Sequence, residues 1–487
     1  MRHRYPDEVT LPTIVNPFLH LERNAADAPN GVFLKTADET VTNAEALVLA
    51  RKIAFEMRRL GVVPGEVVAL DLPDRLSVLF TEAVYHEAAV STVLPDAYPV
   101  DGALIVDWVF TTRPTVHEGR ARVIAVDAQF LQHVEQNPYG IAIRPEPIET
   151  LRIVFSSGTT GTPKAIALGA TMEAAMAAAV PMWFATGPNL VLMDTGTPVG
   201  IGEFFLSVKA GHPFLCAGGA GLAEIVRLAT REAVGTLRGS PSQVAALVDE
   251  LEAQASTLPS VKMVVVAGTV LAVGLAERLQ RATEGCVIVS NYGSTEAGTA
   301  TVRRDGFTDP FDLGHVAPGA TVEIVDDEDE ILPDGVEGRI RHRGFGMATG
   351  YLNDEAATAR AFKGGWFYPG DRGFVRPDGG LTLTGRESEL LNAGGVKVDP
   401  LRIDQAALEA IGVIDACSFE YTDRSGVGRV GLALVTEDVI DIDEVVASLS
   451  ARFAQAAPTL VARLDTIPRT ATGKPLRRVL AERFSES

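Results

Sequence analysis

At 487 residues, with 46% hydrophobic and 22% charged side chains, the chain is long enough for two or three folding units around a large buried core. Its formal net charge of −20 excludes a broad nucleic-acid-binding face, because phosphate contacts require a basic surface. A small polyanion is not excluded, since local amides and a few cations suffice to hold one.

The opening MRHRYPDEVTLP lacks the apolar stretch of a secretion signal, and no 18-residue apolar run is present, so a cytoplasmic protein without membrane contact is expected. Asn43 reads as the cap of a helix with Leu47, Ala50, Ile53, Ala54, Met57 and Leu60 on its apolar face and Gly61 as its stop. Residues 67–72 read as a strand ending at Pro73. Short apolar runs recur at 123–126, 151–155, 190–193, 261–266 and 287–290, with helical patterns at 222–233 and 243–255 between several of them. This alternation predicts an α/β fold with largely parallel, buried sheets. Cys216, Cys286 and Cys417 are scattered without metal-ligand spacing and read as reduced thiols.

From Gly306 glycines and charges become dense, and 321–325 and 338–343 alternate as antiparallel strands do; the acidic run 326–330 reads as a solvated hairpin tip, not a metal site. After Gly385-Arg386 a smaller unit begins. In it Asp399 and Pro400 read as the N-cap and first position of a helix that turns Leu401, Leu408 and Ile411 inward.

Four segments carry chemistry. Ser156-Ser157-Gly158-Thr159-Thr160-Gly161-Thr162-Pro163-Lys164 directly follows the strand at 151–155. Its glycines let backbone N–H groups converge, and its hydroxyls and Lys164 add donors and charge, as a polyphosphate requires. The glycine spacing is not that of a P-loop. Asn291-Tyr292-Gly293-Ser294-Thr295-Glu296 follows the strand at 287–290: Tyr292 offers a flat face to a purine, Thr295 a donor to phosphate, and Glu296 a hard oxygen ligand for Mg²⁺. Taken alone, such a glutamate is more often a cap or an ion-pair partner. In Gly365-Trp366-Phe367-Tyr368-Pro369-Gly370-Asp371-Arg372-Gly373, Asp371 can accept the two hydroxyls of a ribose, and Arg386 of the later Gly-Arg pair can reach the same sugar. Pro468-Arg469-Thr470-Ala471-Thr472-Gly473-Lys474-Pro475 places Lys474 on a glycine-hinged loop, where a cation can be delivered to a reacting anion.

In order and spacing these segments resemble the superfamily of acyl-adenylate-forming enzymes, which includes acyl- and aryl-CoA synthetases, nonribosomal peptide adenylation domains and firefly luciferase. The likeness runs from Val41 to Arg478 and includes GRIRHRGFGMATGYLN and GGWFYPGDRG. The resemblance implies a large N-terminal domain, 1–386, of stacked, mostly parallel α/β sheets plus a small distorted β-barrel, which binds ATP and the acid. It implies a small, mobile α+β lid domain at 387–487. The implied activity is that of an AMP-forming acid–thiol ligase: a carboxylate attacks the α-phosphorus of ATP, pyrophosphate leaves, and the acyl group passes to the thiol of CoA. A stand-alone enzyme loading an acyl or peptidyl carrier protein is the alternative acceptor reading, and a non-catalytic acyl-adenylate binding module a remote one.

Carried over by position, Ser156, Ser157, Gly158, Thr159, Thr160, Gly161 and Lys164 would hold the β- and γ-phosphates, and Thr295 the α-phosphate. Glu296 would bind Mg²⁺; Asn291, Tyr292 and Gly293 would lie at the adenine, and Asp371 and Arg386 at the ribose. Lys474 would stand between carboxylate and α-phosphate. The chain departs from the family at the pivot, where Ser388 replaces Asp or Lys, and at Asn392, where many members have Lys. Pro198 occupies the position of the aspartate that pairs with an α-amine, which disfavours an amino-acid substrate; Gly196 and Thr197 replace a histidine common in acyl-CoA ligases. The acid is expected beside Gly268, Thr269 and Gly293, with Val266 and Ala267 behind. The basic cluster Arg469, Lys474, Arg477, Arg478 and Arg483 is a candidate face for an acidic carrier protein.

Overall fold

The computed structural model describes residues 16–95, 98, 104–120, 122–156, 163–169, 187–304, 306–344, 347–386, 389–393, 396–423, 427–436, 440–469 and 475–485. Within these, the larger of two α/β sheets has nine strands in the spatial order His315–Val316, Gly298–Arg304, Val287–Ser294, Met263–Ala267, Thr236–Gly239, Asn189–Val191, Phe214–Cys216, Val32–Lys35 and Thr40–Thr42. The six from Val287–Ser294 to Val32–Lys35 are parallel, and antiparallel strands finish both edges. The second sheet runs Val123–Ala125, Trp108–Thr111, Val67–Asp71, Val90–Thr92, Thr150–Ser156 and Lys164–Gly169, parallel except for the last pair. The predicted parallel α/β plan is therefore present, with antiparallel pairs where the hydroxyl-rich segments stand.

Local chemistry sets the helix ends. The helix Asn43–Leu60 is capped by Thr42, one residue before the expected Asn43: the Thr42 hydroxyl accepts from Glu45 N, and the Glu45 carboxylate accepts from Thr42 N at 2.8 Å. Gly61 ends it in the left-handed region, as expected. The helix predicted at 243–255 starts earlier, at Pro241–Ala253, because Ser240 caps it with Gln243. Three aromatic rings knit the central layer: Phe204 meets Phe33 and Phe214 edge-on at 5.9 and 5.4 Å, and all are fully or almost fully buried.

An antiparallel sheet holds Phe362–Lys363, Trp366–Phe367, Gly338–Gly344, Asp371–Val375 and Leu381–Arg386, with Ala320–Val325 also paired to Gly338–Gly344. The acidic run is the turn leaving Ala320–Val325: Asp326 N donates to Glu330 O, and Asp329 binds Arg339 at 2.9 Å and Tyr368 at 3.0 Å. The C-terminal residues build a separate three-stranded sheet, Val413–Thr422, Gly428–Thr436 and Leu460–Arg463. Asp399 caps the helix Pro400–Leu408 as predicted. Ile411, expected to turn inward, lies past the end of that helix and is 97% exposed; Ile403 and Ala407 are the fully buried positions.

Within the antiparallel sheet His342 is completely buried beside Phe367, and neither ring nitrogen has a hydrogen-bond partner among the described residues. Burial holds its imidazole down to about 4, against an ordinary value of about 6.5. Between those two values the unfolded chain binds a proton that the folded chain refuses, so this group removes stability as pH falls, by up to roughly 1.4 kcal/mol per pH unit. Replacing it, His342→Ile, is expected to flatten the loss of unfolding free energy between pH 6.5 and pH 4 by about that slope. Urea titrations of both proteins across this range check it, and identical slopes would refute it.

Candidate nucleotide site

Two polar clusters form where the sheets meet. The first is built on a carboxylate. Asp371 begins its strand and is 2% exposed, directly opposite Arg386, the last residue of the neighbouring strand. Arg386 Nε donates to Asp371 Oδ1 at 2.5 Å, and the Tyr292 hydroxyl donates to Oδ2 at 2.6 Å. The Asp371 charge, against burial, holds the Arg386 guanidinium above its ordinary range, while burial and then Asp371 push the Tyr292 phenol well up. Both donors therefore stay protonated at neutral pH.

Tyr292 and Gly293 lie inside the strand Val287–Ser294, which runs four residues beyond the apolar stretch at 287–290 that predicts it. Asn291 pairs across to Ala267, which sets Gly268 and Thr269 beside it at the adjoining strand end. The Asn291 Oδ1 is buried and takes no hydrogen bond from a described residue, leaving an acceptor for an exocyclic amine. The pairing slips by one residue between Tyr292 and Gly293. A Cβ at Gly293 would meet Gly298 O at 2.2 Å and Thr299 Cα at 2.8 Å, so only glycine fits there.

The second cluster joins the other two segments. Thr295 and Glu296 form the turn between Val287–Ser294 and Gly298–Arg304. Glu296 is 7% exposed and its Oε1 accepts from the Tyr351 hydroxyl at 2.9 Å. Lys164 pairs with Ser156 across the strand ends that flank the hydroxyl-rich loop, and its Nζ lies 4.8 Å from the centre of the same Tyr351 ring. Among the described residues only Oε1 of this carboxylate is seen to accept a hydrogen bond. The other carboxylate oxygen fits Mg²⁺, which is commonly held by one or two carboxylates plus phosphates and water. Tyr351 is the residue that the motifs did not single out.

Ser157, Gly158, Thr159, Thr160 and Gly161 lie outside the described residues, as do Ser388 and Lys474. The feet of the Lys474 loop are defined: Arg469 and Pro475 form a bridge, and Leu476 N donates to Pro468 O at 2.8 Å. Arg469 binds Asp415 at 2.6 Å and Arg477 binds Asp404 at 2.7 Å. Pro198 is the first residue of the helix Pro198–Ala210, capped by Thr197, and Asp194 is exposed, accepting from Gly196 N.

A family model described as AMP-binding enzyme matches residues 21–352. Oxalate–CoA ligase of Saccharomyces cerevisiae is 35% identical over 208 residues, a local match covering 41% of this chain and 38% of that one. The medium/long-chain-fatty-acid–[acyl-carrier-protein] ligase FadD10 of Mycobacterium tuberculosis is 28% identical over 80% of this chain and 74% of its own. The crystal structure of the anthranilate CoA ligase AuaEII in complex with anthranoyl-AMP superposes with a TM-score of 0.84 at 20% identity, covering 97% of this chain and 98% of that chain.

Overpacking at the Gly293 bulge costs about 1–3 kcal/mol. Gly293→Ala is therefore expected to weaken ATP binding about tenfold or more, by shifting Tyr292 off Asp371. Calorimetric titration with ATP measures this, and unchanged affinity would show that the bulge does not position the tyrosine.

Proposed function

This chain belongs to the AMP-binding enzyme family, and from that premise we propose that it activates a carboxylic acid as its acyl-adenylate and then transfers the acyl group to the thiol of CoA. The observation that carries the reading is the meeting of Lys164 and Glu296 on Tyr351, which brings two segments far apart in sequence to one point.

In the first half-reaction a carboxylate oxygen bonds to the α-phosphorus of ATP and the bond to the β-phosphate bridging oxygen breaks, releasing pyrophosphate. Two unit anions 4 Å apart repel by about 4 kcal/mol at an effective dielectric of 20, so the site must supply positive charge. Lys164 and the hydroxyl-rich loop hold the β- and γ-phosphates, and Thr295 donates to the α-phosphate. Glu296 would hold Mg²⁺, which would supply positive charge against the phosphates. Asp371 and Arg386 orient the ribose, and Tyr292 lies against the adenine. Lys474 neutralises the approaching carboxylate and α-phosphate as the new bond forms. In the second half-reaction the CoA thiolate attacks the acyl carbon and AMP leaves.

CoA is preferred as the acceptor because the oxalate–CoA ligase and the anthranilate CoA ligase to which this chain is similar are named for it, whereas FadD10 is named for a carrier protein. The proposed domain division follows the motifs, with residues 1–386 binding ATP and acid and residues 387–487 carrying Lys474.

ATP–pyrophosphate exchange with a panel of aryl, aliphatic and dicarboxylic acids is expected to give exchange with at least one acid. Lys474→Ala is expected to lower that exchange about 10²–10³-fold at an unchanged melting temperature. No exchange with any acid, or full exchange in the variant, would sink the assignment. With the active acid in hand, thioester formation is expected with CoA and not with a phosphopantetheinylated carrier; the opposite preference would reverse the choice of acceptor.

A further inference from the structure

We propose that Tyr351 is a positioning residue that presents one oxygen of Glu296 to the metal–phosphate end of the nucleotide and holds Lys164 beside it. This rests on the nucleotide reading above and assigns a role within that site.

The segment around Tyr351 is tied to both elements that it serves. On one side Ala348 N donates to Glu296 O at 2.8 Å, and on the other Leu352 N donates to Ala165 O at 2.9 Å. Thr358 fixes the backbone between them, since its hydroxyl accepts from Tyr351 N at 2.9 Å. The Tyr351 ring is 9% exposed and packs edge-on against Phe362 at 5.5 Å. Hydroxyl and ring then do different work. The hydroxyl engages Glu296 Oε1, the one carboxylate oxygen seen to accept a hydrogen bond among the described residues. A carboxylate held by one oxygen is a one-point ligand of fixed direction, which suits a small cation that demands regular octahedral geometry. The ring carries the Lys164 ammonium at 4.8 Å, and no carboxylate pairs with that ammonium among the described residues. Its charge thus lies over the ring whose hydroxyl binds Glu296, uncommitted to an acid.

Tyr351→Phe separates the two roles, because it deletes only the hydroxyl and keeps the packing and the face beneath Lys164. The probe is α,β-methylene-ATP, which binds but cannot release pyrophosphate, titrated calorimetrically with and without Mg²⁺. The Mg²⁺ concentration for half-maximal tightening is expected to rise about tenfold in Tyr351→Phe, with Mg²⁺-free affinity within about twofold. Tyr351→Leu is expected to weaken Mg²⁺-free binding as well. In a Glu296→Gln background, Tyr351→Phe is expected to add nothing, because its effect runs through that carboxylate. A wild-type Mg²⁺ dependence in Tyr351→Phe, or an equal loss in the Glu296→Gln background, would overturn the proposal. Thermal melting of each variant separates loss of fold from loss of ligand. Failure of the wild-type protein to bind the analogue at all would instead remove the nucleotide reading, so the two failures are distinguishable.

Discussion

A single buried carboxylate ties the two kinds of sheet in this protein together. Asp371 has almost no access to water, and both its oxygens are satisfied by side chains, one by a guanidinium and the other by a phenol. The guanidinium belongs to its own antiparallel sheet; the phenol comes from the parallel sheet of the large α/β layer. A buried anion that lost either donor would be strongly destabilising, so the two sheets are held in a fixed relation at this point. The extended strand carrying Tyr292, the glycine bulge beside it and the turn carrying Glu296 all take their positions from that relation.

The second cluster follows from the same hairpin. Four residues after Tyr292 the chain reaches Glu296, whose carboxylate meets Tyr351. Tyr351 in turn brings in Lys164 from the edge of the other α/β sheet. Lys164 and Glu296 are thereby brought to one ring with no ion pair between them among the described contacts. Charge held in place in this way is useful, because a preorganised site stabilises charge appearing in a reaction without reorganising at that moment.

Much of the fold was legible because its signals are local. The hydrophobic runs located six of the parallel strands but not Val32–Lys35, Val90–Thr92, Trp108–Thr111, Phe214–Cys216 or Thr236–Gly239, which are only three or four residues long, and the Asp399-Pro400 pair located a helix start. Errors came where two local signals competed. Asn43 and Thr42 are both good caps, and Glu45 three residues after Thr42 decides between them through the reciprocal bond. Ile411 continued an apolar period that the chain abandons at Leu408. At the site, Asp371 and Arg386 were read as reaching one sugar; that they pair with each other across a short hairpin was not read from the sequence. Tyr351 was not legible, since a tyrosine after a glycine signals nothing until the fold places it against a residue 55 positions earlier in the chain.

The paired feet of the C-terminal loop have a mechanical consequence. Pro475 is bridged to Arg469, and the arginines on either side of the loop are clamped to Asp415 and Asp404. Residues 469 and 475 are thereby held to the body that carries Asp404 and Asp415, so a displacement of that body would carry both together.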